Sequence, residues 1–224
     1  MSEYSPTSGP WEPQMNLTVF GATGGIGRQI VQQALAAGHR VTAVVRDPAR
    51  LEVTGTGLEV FRADLTDPEA LRPAVSGRDA VLSGLGARSR KDAGVTTRLT
   101  RTVLRAMEAE GVRRLVVVTA APVGPAPEHD GILDRAGRRL ISALLKDVYA
   151  DLREAEDELA RSTTDWTVVR PPRLQDKPLT GRYRTVVGGF PPRGRFAGRA
   201  DVAHAMLAAV ADPSTVKQGV GVAY

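Results

Sequence analysis

The stretch Gly21-Ala22-Thr23-Gly24-Gly25-Ile26-Gly27 sets glycines at three-residue intervals between an apolar run at 16–20 and an amphipathic run at 26–37. That order suits one piece of chemistry, the capture of a pyrophosphate. Gly21 permits a tight turn off a strand, and Gly24 lets backbone approach the phosphates. Gly27 lets a helix pack closely on the sheet, while amides at the helix start receive negative charge. Gly21, Thr23, Gly24, Gly25, Ile26 and Gly27 are therefore expected to bind a dinucleotide. Glycines also make ordinary turns. The ordered context of strand, loop, helix and second strand favours the nucleotide.

The end of the second strand bears on which dinucleotide is held. An acidic residue there binds both ribose hydroxyls and repels a 2′-phosphate. This chain has Arg46, followed by Asp47-Pro48-Ala49-Arg50. Two guanidinium groups in that turn can hold a 2′-phosphate through charge-assisted bonds, which points to NADP(H). Arg50 reads equally well as a solvated arginine. Asp64-Leu65 is placed to meet an adenine, or Asp64 simply satisfies backbone amides at a strand end. Gly84-Leu85-Gly86 lets the chain pass close to the cofactor, with Arg88 in reach of a phosphate; an ordinary turn is the alternative.

These residues need a frame, and the rest of the chain supplies one. Strands are predicted at 16–20, 40–45, 58–61, 80–83, 115–119 and 166–169, and helices at 26–37, 67–75 and 95–110. The alternation implies an α/β fold, a single Rossmann-type doubly wound parallel sheet with helices on both faces. In the second half, helices are expected at 132–146, 148–161 and 200–211. Short strands are expected at 183–187 and 220–224, within and after a Pro- and Gly-rich stretch at 171–198. Residues 1–14, with Pro6, Gly9, Pro10 and Pro13, read as a flexible leader to one domain over 15–224.

Composition narrows the field. The 224 residues contain no cysteine and three scattered histidines, so disulfides and thiol catalysis are excluded and no metal site is expected. The net charge of +5 comes from arginines spread along the chain, with only 4% aromatic residues for base stacking. Nucleic acid is not an expected partner. No apolar run is long enough to span a bilayer, and the start lacks a secretory pattern, so a cytoplasmic protein, monomer or homodimer, is expected.

Several stretches together resemble a known group. The G-x-x-G-x-x-G spacing, Val-Arg-Asp-Pro-Ala-Arg at 45–50, Ala63-Asp64-Leu65, and the block from Arg170-Pro171-Pro172-Arg173 through Asp176-Lys177-Pro178-Leu179-Thr180-Gly181 to Tyr183 are similar to atypical short-chain dehydrogenase/reductases. Within these, the NAD(P)H-binding, NmrA-like proteins and the biliverdin-IXβ and flavin reductases are the nearest, over residues 15–224. The resemblance implies NADPH use and hydride transfer to a flat, conjugated acceptor, with Thr119 and Pro171-Pro172 beside the cofactor.

The catalytic groups of those reductases are not all present. A serine after the strand-five threonine is replaced in Thr119-Ala120, and a histidine after the double proline by Arg173. The usual Tyr-x-x-x-Lys survives only as Tyr149-Ala150-Asp151-Leu152-Arg153. A conjugated acceptor needs less, because the cofactor carries the chemistry and water can supply the proton. Arg173 is then expected to stabilise negative charge, Thr119 to donate a hydrogen bond, and Tyr149 or Asp151 to relay a proton. Each has a plainer reading: Thr119 ends a strand, Tyr149 packs on a helix, and Asp151 pairs with Arg153 or Arg161. The function expected is an NADPH-dependent reductase of a small flavin, quinone-like or tetrapyrrole-like acceptor. A non-catalytic NADP(H)-binding regulator or redox sensor, and a biosynthetic isomerase or cyclase, are the alternatives.

Overall fold

A computed structural model describes residues 14–86, 94–124 and 145–224. Its first half follows the predicted alternation: β1 (Asn16–Phe20), α1 (Gly25–Ala36), β2 (Arg40–Val45), β3 (Leu58–Arg62), α2 (Pro68–Val75), β4 (Ala80–Ser83), α3 (Val95–Ala109) and β5 (Arg114–Val118). The second half runs α4 (Lys146–Arg161), β6 (Asp165–Arg170), β7 (Arg173–Gln175), β8 (Arg184–Val187), β9 (Phe196–Gly198), α5 (Arg199–Ala211) and β10 (Gln218–Ala223). Local chemistry explains the boundaries. The Asp67 side chain accepts from the Glu69 amide 3.0 Å away and Pro68 opens the first turn, as expected for the start of α2.

The main sheet has eight strands in the order β3-β2-β1-β4-β5-β6-β10-β8. All adjacent pairs are parallel except β10 and β8, so an antiparallel strand closes one edge. Alternate strand residues face opposite layers. Leu17, Val19, Val41, Ala43, Val116 and Val169 pack with Ile30, Val31, Val202 and Met206 of α1 and α5. Phe20, Val44, Val81, Val117 and Val168 pack with Leu71, Val103, Met107 and Leu159 of α2, α3 and α4. Burial on both faces accounts for the continuous apolar strands, and this apolar burial is the main force holding the three layers together.

Two elements went unforeseen. β7 and β9 form a small parallel pair, Arg173 opposite Phe196 and Gln175 opposite Gly198. Three-residue strands are too short to show an alternation, and their partners lie more than twenty residues apart. The helix expected at 132–146 falls almost wholly outside the described residues, as does the leader through residue 13.

The topology also marks a crevice. From β1 the chain builds outward through β2 and β3, then returns to place β4 on the other side of β1. The loops leaving β1 and β4 therefore diverge at a topological switch point, where ligands of open α/β sheets bind.

Candidate functional site

Both diverging loops are glycine-rich, and they interlock. Gly21 has φ of 75°, a conformation few other residues tolerate, and a Cβ there would stand 2.7 Å from the Gly84 carbonyl carbon. A Cβ on Gly27 would overlap the Gly21 carbonyl, and one on Gly84 would lie 3.1 Å from the Gly27 nitrogen. The Gly24 amide donates to the Gly21 carbonyl at 2.8 Å, closing the turn. Gly24 then serves as the N-cap of α1 with no side-chain cap, and the first turn of α1 carries no acidic residue. The open, positive end of a twelve-residue helix thus emerges at the switch point beside Thr23, Gly25 and Ile26, a fit for a pyrophosphate.

A cavity of about 490 Å³ lies at the ends of β2 and β3, lined by Arg46, Arg62, Ala63 and Asp64. Arg62 was not anticipated. It looks like an ordinary surface arginine in sequence, and only the pairing of Arg62 with Val45 sets it beside Arg46. Arg50 instead ends a short 3-10 turn, Pro48–Arg50, capped by Asp47, and is not among the cavity's lining residues. Asp64 satisfies a backbone amide, as its plainer reading expects. It lines the cavity, and its carboxylate accepts from the Thr66 amide at 2.9 Å and the Thr66 hydroxyl at 2.8 Å. Those two bonds, backbone first, hold its pKa below the usual carboxylate value.

Leu65 is buried in the core beneath, and Leu85 packs against the same cluster, while Gly86 is exposed. Arg88 lies outside the described residues.

At the end of β5 the Thr119 amide donates to the Val169 carbonyl at 2.9 Å, finishing the strand. Its hydroxyl donates to Glu156 Oε1 at 2.7 Å. Glu156 in turn accepts from Arg170 at both oxygens, Nε at 3.1 Å and Nη2 at 2.6 Å. The Arg170 and Glu156 side chains are only 14% and 13% exposed. Glycine at 219 leaves the guanidinium its room, since a Cβ there would overlap it. Neither Glu156 nor Arg170 stood out in sequence, because a buried pair between a helix and a strand end has no local signature. With its hydroxyl hydrogen committed to Glu156, Thr119 presents lone pairs rather than a donor, unlike the expected role.

The proton relay expected through Asp151 does not hold. Its carboxylate is buried and accepts from the Thr96 amide at 3.0 Å, the Thr97 amide at 2.9 Å and the Thr97 hydroxyl at 2.6 Å. Asp151 therefore caps α3 from outside, and it pairs with neither Arg153 nor Arg161. Tyr149 is buried, and burial pushes its hydroxyl pKa up. Arg153 donates to the Pro122 carbonyl at 3.3 Å, next to the end of β5.

Pro171 is buried and its carbonyl accepts from the Ala121 amide at 2.8 Å, so the double proline joins the ends of β5 and β6. Pro172 is half-buried beside it. Arg173 is exposed, its guanidinium 5.9 Å from the Phe196 ring centre. Beyond it, Thr180 and Gly181 donate their amides to the fully buried Asp201 at 3.0 and 2.9 Å, and the Tyr224 hydroxyl donates to the same carboxylate at 2.7 Å. The Pro-Leu-Thr-Gly block thus fastens the second-half loops to α5.

A switch-point crevice, an open helix end beside interlocked glycines, and a two-arginine cavity define a dinucleotide-binding Rossmann domain. The chain belongs to the NAD(P)H-binding family, whose model matches residues 21–213. Among related proteins, a (4-alkanoyl-5-oxo-2,5-dihydrofuran-3-yl)methyl phosphate reductase from Streptomyces griseus is 31% identical over 73% of this chain and 50% of its own. This chain therefore spans about half the length of that relative. An uncharacterized sugar epimerase, YhfK of Bacillus subtilis, is 27% identical over 90% of both chains. A solved structure from Streptococcus pneumoniae, described as a candidate NADH-flavin reductase, superposes with a TM-score of 0.77 at 23% identity, covering 93% of this chain and 99% of its own. That identity speaks to the fold alone. Among the described residues, no helix is long and apolar enough to cross a membrane, and no cluster of His, Asp and Glu could hold a metal.

Proposed function

We propose that this chain is an NADPH-dependent reductase that passes hydride to a small conjugated acceptor such as a flavin, a quinone-like metabolite or a tetrapyrrole. The observation that carries the cofactor choice is Arg46 at the end of β2, where NAD-binding folds place a carboxylate, with Arg62 lining the same cavity. The first-turn amides of α1 and the Gly21–Gly27 loop would hold the pyrophosphate, and Asp64 would lie toward the adenosine. When bound, the nicotinamide supplies the hydride.

The protein's own contribution is orientation and charge. Glu156, held by Arg170, fixes the Thr119 hydroxyl at the end of β5. Arg173 offers an exposed cation for an acceptor that becomes electron-rich on reduction. No buried side chain is required as acid: a reduced flavin or quinone takes its proton from water, and the Asp151 carboxylate is committed to Thr96 and Thr97. The reductase named among the relatives supports this reading.

The test is nucleotide oxidation followed at 340 nm with NADPH and NADH in parallel, against FMN, riboflavin and short-chain quinones. Faster oxidation of NADPH with at least one acceptor, with one nucleotide consumed per product, is the expected result. Background rates across the panel, or product formed without consumption, would sink the reductase reading. The latter would favour the isomerase class to which the Bacillus relative's name points. Background rates with tight NADP(H) binding would instead favour a regulator, a reading that the occupied Asp151 also fits.

A further inference from the structure

The first helical residue of α1, Gly25, is exposed, yet the space over it is taken. A Cβ at Gly25 would stand 2.6 Å from Cδ and 2.9 Å from Nε of Arg199. Arg199 opens α5, which packs alongside α1; the Gln33 side chain donates to the Ala200 carbonyl at 2.9 Å, and Val202, Ala203 and Met206 share the core with Ile30 and Ala34. The backbone of Arg199 is therefore fixed next to the glycine loop. Its side chain is 30% exposed and ends on Asp176, Nη1 to Oδ1 at 2.7 Å, a carboxylate that is itself 86% exposed.

We propose that Arg199 is a phosphate-binding residue of the dinucleotide site, and that Asp176 is the anion it holds until the pyrophosphate takes its place. The inference rests on the cofactor reading above and adds to it a cation 174 positions from Gly25 in the chain. Three facts carry it together. The guanidinium stem lies over the helix end that receives the phosphates. Glycine at 25 leaves that stem its room. The partner is an exposed carboxylate on a loop, so exchanging it for a phosphate leaves no buried charge behind. Arginine suits the exchange because its planar fork offers paired donors to either anion. Asp176 belongs to the same block whose Thr180 and Gly181 are tied to Asp201, so the loop's far end stays anchored while its near end lets go.

Isothermal titration of NADP⁺ and of adenosine 2′-phosphate into wild type, Arg199→Ala, Arg199→Lys and Asp176→Ala tests this, with thermal melts to confirm folding. Adenosine 2′-phosphate keeps the group that Arg46 and Arg62 would hold but lacks the pyrophosphate. Arg199→Ala should weaken NADP⁺ about tenfold or more and leave adenosine 2′-phosphate unchanged, with Arg199→Lys between wild type and Ala. Asp176→Ala should bind NADP⁺ as well as wild type or a few-fold more tightly. An Arg199→Ala affinity within twofold of wild type overturns the proposal. So does an equal loss for both ligands, or a loss in Asp176→Ala matching that in Arg199→Ala, which would make the ion pair only a loop fastener. If wild type binds no NADP⁺ at all, the cofactor reading falls and this inference falls with it.

Discussion

At the scale of single residues, the site divides into groups that a spacing rule can find and groups that only folding assembles. The glycines at 21, 24 and 27 belong to the first kind, because their spacing falls within seven positions, with Gly21 at φ of 75° and Gly27 set against the Gly21 carbonyl. Arg46 belongs there too, since the end of the second strand is a defined place in the fold. Arg62, Glu156 and Arg170 belong to the second kind. Nothing near Arg62 marks it, and its importance comes from lying one strand over from Arg46. Replacing Arg46 by Asp should reverse the proposed preference for NADPH over NADH. A lost charge-assisted contact costs about 1.5–3 kcal/mol, roughly ten- to a hundredfold in affinity. Titration with both nucleotides measures it, and unchanged discrimination would leave Arg46 a solvated arginine.

Among the elements, most strands and helices were readable in the sequence because apolar runs there stop at strong punctuation: Gly38 after α1, Asp67-Pro68 before α2, Gly111 after α3. What escaped were pieces whose partners are distant, such as β7 with β9. Asp151 shows the same limit for a side chain. In sequence it sits in a Tyr-x-x-x-Arg pattern and looks catalytic; in the fold its partners are Thr96 and Thr97, more than fifty positions earlier. Burial alone would raise its pKa, but the hydrogen bonds from Thr97 and Thr96 outweigh that and hold the carboxyl below its ordinary value. A carboxyl depressed in the folded state stabilises fully above its unfolded pKa of about 3.9, and that stability is lost as pH falls through the folded value. Asp151→Asn should therefore destabilise the protein at neutral pH by about 1–3 kcal/mol. The gap between variant and wild type should narrow below about pH 4. Denaturant melts at pH 7 and pH 3.5 read both, and NADP⁺ affinity should be retained where the protein is folded. A loss of binding without a loss of stability would restore Asp151 to the site.

For the molecule as a whole, the two sheet faces carry different duties. α1 and α5 clasp one face and bring the glycine loop and Arg199 together; α3 and α4 clasp the other and support Thr119 through Glu156. A dinucleotide bound at the switch point as proposed would touch elements from both halves of the chain, so its binding should protect the entire fold. At a hundred times its dissociation constant, a ligand of the native state adds about 2.7 kcal/mol. For a domain of this size that corresponds to a rise in Tm of roughly 5–10 °C. A thermal melt with NADP⁺ should show it, and the same concentration of NADH should give a smaller rise. No shift with NADP⁺ would mean that the crevice does not hold the cofactor.

The interlocked glycines have a consequence for how such a protein can change over generations. Gly21, Gly27 and Gly84 fit against one another so closely that a side chain on any of them would press on backbone of the glycine loop or of the loop after β4. The posture of a bound nucleotide is thus closed to gradual revision. Its choice of nucleotide is open, because Arg46 and Arg62 line the cavity at the ends of β2 and β3, outside that lock, and each can be exchanged alone. A lineage built on this chain is free to alter what it accepts while being held to how it accepts it.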